Sequence, residues 1–275
     1  MRAAVVGLGL MGGSLALDLK KNFLADEVIG YDKNEKHAQE ALALGLVDEV
    51  VPFEKIKEAD IIFLAIPVEG IIQTLQDLTN LPDTTTIVDF GSTKEKIVRS
   101  CPAAIRPQFV AAHPMTGTEY SGPTAAIEGL YYDKICVLCD VEQNDPSHLE
   151  KAENIFVALG MQLVYMDARE HDLHAAYISH LPHAISYALA NSVLKQEDPK
   201  SILILAAGGF KDMSRLAKSN PSMWVDIFKQ NRQNLLDSIE VFKKELRHAH
   251  TLIQEERWEE LKKWMEEATT LHKIL

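Results

Sequence analysis

The residues best suited to chemistry lie around His113, at Ser92, in the histidines between 171 and 183, and at Arg215. His113 sits within residues 109–123, FVAAHPMTGTEYSGP, an apolar run that passes into a polar segment broken by Gly and Pro. If that run is a parallel strand, His113 stands at its carboxyl end, facing the crevice where open α/β sheets bind ligands. An imidazole there can accept a proton near neutral pH. Ser92 follows a second apolar run, residues 86–90, and with Glu95 it fits a capping box. A cap at the end of a strand lies on the ligand side, so Ser92 is expected both to cap and to contact.

His171, His174, His180 and His183 form two H-x-x-H pairs on a segment expected to kink at Pro182. No carboxylate stands at the offset that helical metal motifs use, so no metal is expected, and one or two of these His face a substrate instead. Arg215 lies between a Gly pair, Gly208-Gly209, and a helix start at Asn220-Pro221. An acidic protein with an anionic ligand needs a guanidinium. Spacing alone does not separate that role from an exposed, solvated Arg.

The opening stretch supplies what such a site would work on. Residues 3–6 form a short apolar run that feeds Gly7-Leu8-Gly9-Leu10-Met11-Gly12, a complete G-x-G-x-x-G, and then an apolar helix to about Asn22. Gly7 permits the tight turn, Gly9 lets a pyrophosphate approach the backbone, and Gly12 lets helix and strand pack closely. Leu10 and Met11 carry the first helical N–H groups, which face the phosphates. A second strand, residues 27–31, ends at Asp32, twenty residues past Gly12, where an acid holds ribose hydroxyls. That carboxylate repels a 2′-phosphate, so NAD is favoured over NADP. Residues 60–66 form another buried strand, with Ile66 and Pro67 on the cofactor side of its carboxyl end.

Further strands at residues 134–140 and 162–166, with a helix at 147–159, complete an alternating pattern that implies a parallel, doubly wound sheet. Cys136 and Cys139 are three apart on a strand and so point to opposite faces, as buried apolar side chains. From Asp167 helical periodicity takes over, notably in residues 226–247 and 254–273. The organisation expected is a Rossmann-type domain, residues 1–166, followed by an all-α domain, residues 167–275. The apolar faces of the latter exceed what one subunit can cover, which suggests a homodimer. The net charge of -12 argues against a nucleic-acid surface, and no apolar run approaches membrane-spanning length. Three Cys give no disulfide framework, and Met1 leads directly into an apolar strand without a signal peptide, so a cytoplasmic protein is expected.

Five segments in order resemble the prephenate and arogenate dehydrogenase family: GLGLMGGS from Gly7, DFGSTK from Asp89, HPMTGTEYSG from His113, SHLPH from Ser179, and GGFKDMSR from Gly208, followed by Trp224. The resemblance implies a Rossmann domain and a helical dimerisation domain with the active site between them, NAD as cofactor and a dicarboxylate substrate. It implies that His113 hydrogen-bonds the ring hydroxyl and that Ser92 positions this His and the nicotinamide. Glu119 corresponds to a loop acid that helps gate the site, His171 and His183 to residues around the substrate side chain, and Arg215 to a carboxylate-binding arginine. Gly208 and Trp224 fall on the substrate side. The reaction implied is oxidative decarboxylation of prephenate to 4-hydroxyphenylpyruvate in tyrosine biosynthesis, with arogenate as the alternative substrate. Without mutase or regulatory segments, the chain resembles the monofunctional form. A β-hydroxyacid dehydrogenase, and an NAD-sensing protein without chemistry, remain the competing readings.

Overall fold

Apolar runs that are hydrophobic on both faces have to become strands covered on both sides, and in the computed structural model, which describes residues 1–274, they do. The strands are β1 Arg2–Val6, β2 Glu27–Tyr31, β3 Glu49–Val50 and β4 Ile61–Leu64. β5 Thr86–Asp89, β6 Phe109–Pro114, β7 Ile135–Cys139 and β8 Gln162–Met166 follow. They form a sheet in the order β3-β2-β1-β4-β5-β6-β7-β8. Alternate residues feed two separate cores. Ala3, Val5, Ile61, Phe63, Val110 and Ala112 pack on one face, and Ala4, Val6, Ile62, Leu64, Phe109 and Ala111 on the other. Cys136 and Cys139 divide between the same two cores, as their spacing requires.

The helices of this half are α1 Leu10–Lys21, α2 Glu35–Ala43, α3 Phe53–Ile56, α4 Val68–Asp77, α5 Glu95–Ser100 and α6 Pro146–Ala158. They carry the crossovers between parallel strands. The wholly parallel sheet expected from the sequence needs one correction: β7 runs antiparallel to β6, and β8 is parallel to β7. The connection from β6 to β7 holds no crossover helix, so the chain returns beside the strand it left. That connection is fastened to α1 by three hydrogen bonds. Ile127 N–H donates to Ser14 (2.8 Å), Gly129 N–H to Asp18 (2.7 Å), and the Tyr131 hydroxyl to the Met11 carbonyl (2.6 Å).

After β8 only helical elements follow: α7 Ala168–Ala175, a π turn Ala176–His180, and α8 Leu181–Leu194. Next come α9 Pro199–Ile204, α10 Gly208–Ser214, a 3₁₀ turn Arg215–Lys218 and α11 Pro221–Gln230. The irregularity expected at Pro182 lies just before it. Pro182 occupies the first turn of α8, and the π turn absorbs the backbone bond that a proline cannot donate. Asn220 caps α11 through Ser222 N–H (2.9 Å), with Pro221 at the first position, as its sequence indicates. The helical run expected over residues 226–247 is interrupted at Asn231. α12 Arg232–Gln254 starts afresh, and α13 Trp258–Thr269 follows it. The chain divides into two compact units, Met1–Asn231 and Arg232–Leu275. Within the second, α12 and α13 are joined by a Trp264 indole bond to Glu245 (2.9 Å). Among the described residues no helix is long and apolar enough to cross a membrane.

Candidate active site

The register of the parallel strands aligns Val6, Leu64, Asp89 and Ala111 in one row. Two residues further along each strand come Leu8, Ile66, Gly91 and His113, so the glycine-rich turn, the Ile66-Pro67 corner, the Ser92 turn and His113 share one edge of the sheet. The strand order reverses between β1 and β4, the switch point at which dinucleotides bind.

The glycine-rich turn is built to receive phosphate. Gly7 has φ +93°, and a Cβ there would lie 2.4 Å from the Ala65 carbonyl. A Cβ on Gly12 would fall 1.9 Å from the Gly7 carbonyl, which leaves no alternative to glycine. Gly9 is different: a Cβ would meet only the Gly122 amide, at 3.9 Å, so the space in front of it is open. α1 starts at Leu10 and Met11 with no side-chain cap and no acid in its first turn, leaving N–H groups free to bind an anion. Asp32 accepts from Leu8 N–H (2.9 Å) and Asn34 N–H (2.8 Å), which holds its carboxylate against the turn. His37 comes within 3.8 Å of it, a neighbour that the motif alone did not indicate. These residues fit NAD.

His113 is the penultimate residue of β6 and half-buried. Its Nδ1 lies 2.8 Å from His171 Nε2, and His171 Nδ1 lies 2.8 Å from Asp172 Oδ1. Among the described residues nothing bonds His113 Nε2. Burial, and after it the proximity of His171, Lys94 and His180, holds the His113 pKa well below 6.5, so the imidazole is neutral at physiological pH.

His171 is 3% exposed and both its ring nitrogens are engaged, so it stands behind His113. One expectation from the sequence changes here. Ser92 does not cap α5. That helix begins at Glu95, and its first amides are met by Asp172, whose carboxylate accepts from Lys94 N–H (2.7 Å) and Glu95 N–H (3.0 Å). A capping residue 78 positions away in sequence replaces the local one. The Ser92 side chain, half-buried at the end of β5, is thereby left without a hydrogen bond among the described residues.

Beneath this turn lies a buried ion pair that the motif reading passed over. Lys94 Nζ donates to Asp89 and to the Ala112 carbonyl (2.6 Å). Asp89 in turn accepts from Gly91 N–H (2.9 Å) and Ala112 N–H (3.2 Å). The signal was present in the sequence, since an acid inside an otherwise apolar strand requires a partner.

On the helical side, His183 stacks on Trp224 with ring centroids 3.5 Å apart, and its Nδ1 donates to the Ser179 carbonyl (2.9 Å). Burial lowers the His183 pKa, and the nearby Arg215 charge lowers it further. Arg215 is exposed at the head of its 3₁₀ turn. The turn is tied to α8 by Ala217 N–H to Ser186 (3.0 Å) and by the Tyr187 hydroxyl to the Ser219 carbonyl (2.9 Å). His180 is fully buried, bonded to Asn231 (3.1 Å), and its pKa falls to about 4 through burial. Gly208 opens α10 on the exposed surface, and Glu119 is half-buried on the loop that passes the glycine-rich turn. Among the described residues no group of three or more His, Cys, Asp or Glu stands close enough to hold a metal ion.

Comparison with known proteins decides between dehydrogenase classes. The nucleotide-binding domain model of prephenate dehydrogenase matches residues 15–165, and the corresponding dimerization domain model matches residues 167–267. The chain belongs to the prephenate dehydrogenase family. As a member it is an NAD-dependent oxidoreductase. It is 34% identical over 271 residues to a prephenate dehydrogenase of Bacillus subtilis, covering 96% of this chain and 73% of that one. The crystal structure of prephenate dehydrogenase from Aquifex aeolicus with hydroxyphenyl propionate and NAD+ superposes with a TM-score of 0.93 at 33% identity, covering 99% and 97% of the two chains. Arogenate dehydrogenase from Synechocystis gives a TM-score of 0.82 at 31% identity, covering 99% of each chain.

Proposed function

We propose that the protein oxidatively decarboxylates prephenate to 4-hydroxyphenylpyruvate, with His113 as the base. NAD, when bound on the glycine-rich turn, supplies the hydride acceptor. His113 Nε2 takes the proton of the ring hydroxyl as the carbon bearing it is oxidised, and the ring carboxylate leaves as CO2. Aromatisation supplies the driving force, so the protein's task is alignment. The observation that carries this reading is a neutral imidazole, its Nε2 without a hydrogen bond among the described residues, on the same sheet edge as the dinucleotide turn. Ser92, at the end of the adjacent strand, serves to orient His113 and the nicotinamide, and Glu119 lies on the loop that closes over them.

Arg215, with His183 and Trp224 beside it, is assigned the side-chain carboxylate of the substrate. A charge-assisted hydrogen bond is worth about 1.5–3 kcal/mol, so Arg215→Ala should raise KM roughly 10- to 100-fold and leave kcat within a few-fold. A fall in kcat at constant KM would instead give Arg215 a part in the chemistry.

The reaction is tested by following NADH formation with prephenate and with arogenate, each with NAD and NADP. Turnover of prephenate with NAD is expected, and turnover of neither substrate would overturn the proposal. Arogenate is the second reading, favoured by the likeness to the Synechocystis enzyme. The working form is proposed to be a homodimer. Ile204 and Leu205 on and after α9 are 81% and 83% exposed, which a second subunit would cover. A cytoplasmic setting belongs to the same proposal, and Cys101, Cys136 and Cys139 are free thiols, as a reducing compartment keeps them.

A further inference from the structure

We propose that Asp172 is a positioning residue for the reaction: acting through His171, it fixes which nitrogen of His113 is free to accept a proton. The inference rests on the reading of His113 as the base and follows from hydrogen-bond bookkeeping along one line of side chains.

An ionised carboxylate can only accept hydrogen bonds. Asp172 accepts from the amides of Lys94 and Glu95, and its third close neighbour is His171 Nδ1 at 2.8 Å. The proton in that contact therefore sits on His171 Nδ1. In the neutral ring proposed for His171, with its one N–H at Nδ1, Nε2 then presents a lone pair. It faces His113 Nδ1 at 2.8 Å, which must then be the donor. The second nitrogen of His113, Nε2, is left with the lone pair and with no bond from the described residues. Reversing the line at Asp172 would reverse each link and place a proton on His113 Nε2, where it blocks the reaction. The ionisable groups facing His113 are His171, Lys94 and His180; of these His171 is the one bonded to Nδ1, and the Lys94 ammonium is directed to Asp89 and the Ala112 carbonyl.

The same carboxylate also ties three elements together. It caps α5, which follows Ser92, and it belongs to α7, whose His171 braces the end of β6. One side chain thus sets both the turn that carries Ser92 and the proton order of His113. This is the logic by which a buried acid holds a catalytic imidazole in its working tautomer without itself taking up the proton. The proton leaving the substrate stops at His113 Nε2, and those on His171 and His113 Nδ1 stay where they are.

The test uses the full-length enzyme, labelled with ¹⁵N in its histidine rings, and the Asp172→Asn variant. Asparagine can turn its NH2 toward His171 Nδ1 only by giving up the bond that the same Oδ1 position accepts from Lys94 N–H, and in that orientation it favours the reversed order. The expected result in the wild type is a His113 with a protonated Nδ1 and an unprotonated Nε2, its signals assigned by their loss in His113→Asn. In Asp172→Asn, kcat should fall about 10- to 100-fold, with KM and NAD affinity within about threefold and His113 Nε2 shifted toward the protonated form. A wild-type His113 protonated on Nε2 would overturn the proposal, and so would a kcat unaffected by Asp172→Asn. If the variant loses the α5 cap and fails to fold, the wild-type spectrum still decides. That spectrum needs no turnover, so it separates failure of this inference from failure of the proposed reaction.

Discussion

His113→Asn should lower kcat by roughly 10²–10⁴, the usual contribution of a positioned general base, with the NAD dissociation constant unchanged. Asparagine is close in size and can still donate toward His171 Nε2, so the end of β6 keeps its hydrogen bond. What it cannot do is take a proton. The pH profile gives a second readout. Burial, reinforced by His171, Lys94 and His180, holds the wild-type His113 pKa well below 6.5. The neutral form is the active one, so kcat/KM should stay level as pH falls through 6.5 and decline only at distinctly more acid values. An exposed histidine would begin to lose activity near pH 6.5. In His113→Asn that acid limb should disappear from the residual rate. A kcat within threefold of wild type would remove His113 from the mechanism.

Much of the frame behind this site was legible in the sequence, because it depends on local chemistry. G-x-G-x-x-G at Gly7, the acid at Asp32 and the strand at Glu27–Tyr31 all follow from spacing, and the structure places them together. The Asn220 cap was legible for the same reason. Long-range compensation was not. Ser92 and Glu95 spell a capping box, yet the amides they would serve are taken by Asp172, since a buried helix start is served by whichever acceptor packs on it. Nor do the partners of His171 show in the sequence: only the fold brings His113 and Asp172 to its two nitrogens. The reversal at β7 escaped for a related reason: strand periodicity reports burial and not direction, which the missing crossover helix decides. The π turn before Pro182 shows the same limit, because proline signals a disturbance without saying on which side the helix absorbs it.

Lys94→Met should cost about 3–5 kcal/mol of folding stability, the usual penalty for stripping one partner from a buried ion pair, measured by urea unfolding at pH 7. Lys94 and Asp89 are each 0% exposed, so water cannot take over from the lost ammonium. Burial already pushes the Asp89 carboxyl pKa upward, and Lys94 is the main influence opposing it. Without Lys94 the folded variant must either keep a bare carboxylate inside the sheet or take up a proton. Proton uptake becomes easier as pH falls, so the gap between wild type and variant should narrow from pH 7 toward pH 5. Adding Asp89→Asn to Lys94→Met removes the stranded charge and should recover part of the loss, although an amide replaces only some of the acceptors that Gly91 and Ala112 use. The same substitution reaches the chemistry. Lys94 also holds the carbonyl of Ala112, the residue before His113, and its charge helps keep that imidazole neutral. The acid limb of kcat/KM should therefore move to higher pH in Lys94→Met. A stability loss under about 1 kcal/mol, below even the cost of one unsatisfied buried group, with the acid limb unmoved, would mean that the pair neither fastens this turn nor tunes the base above it.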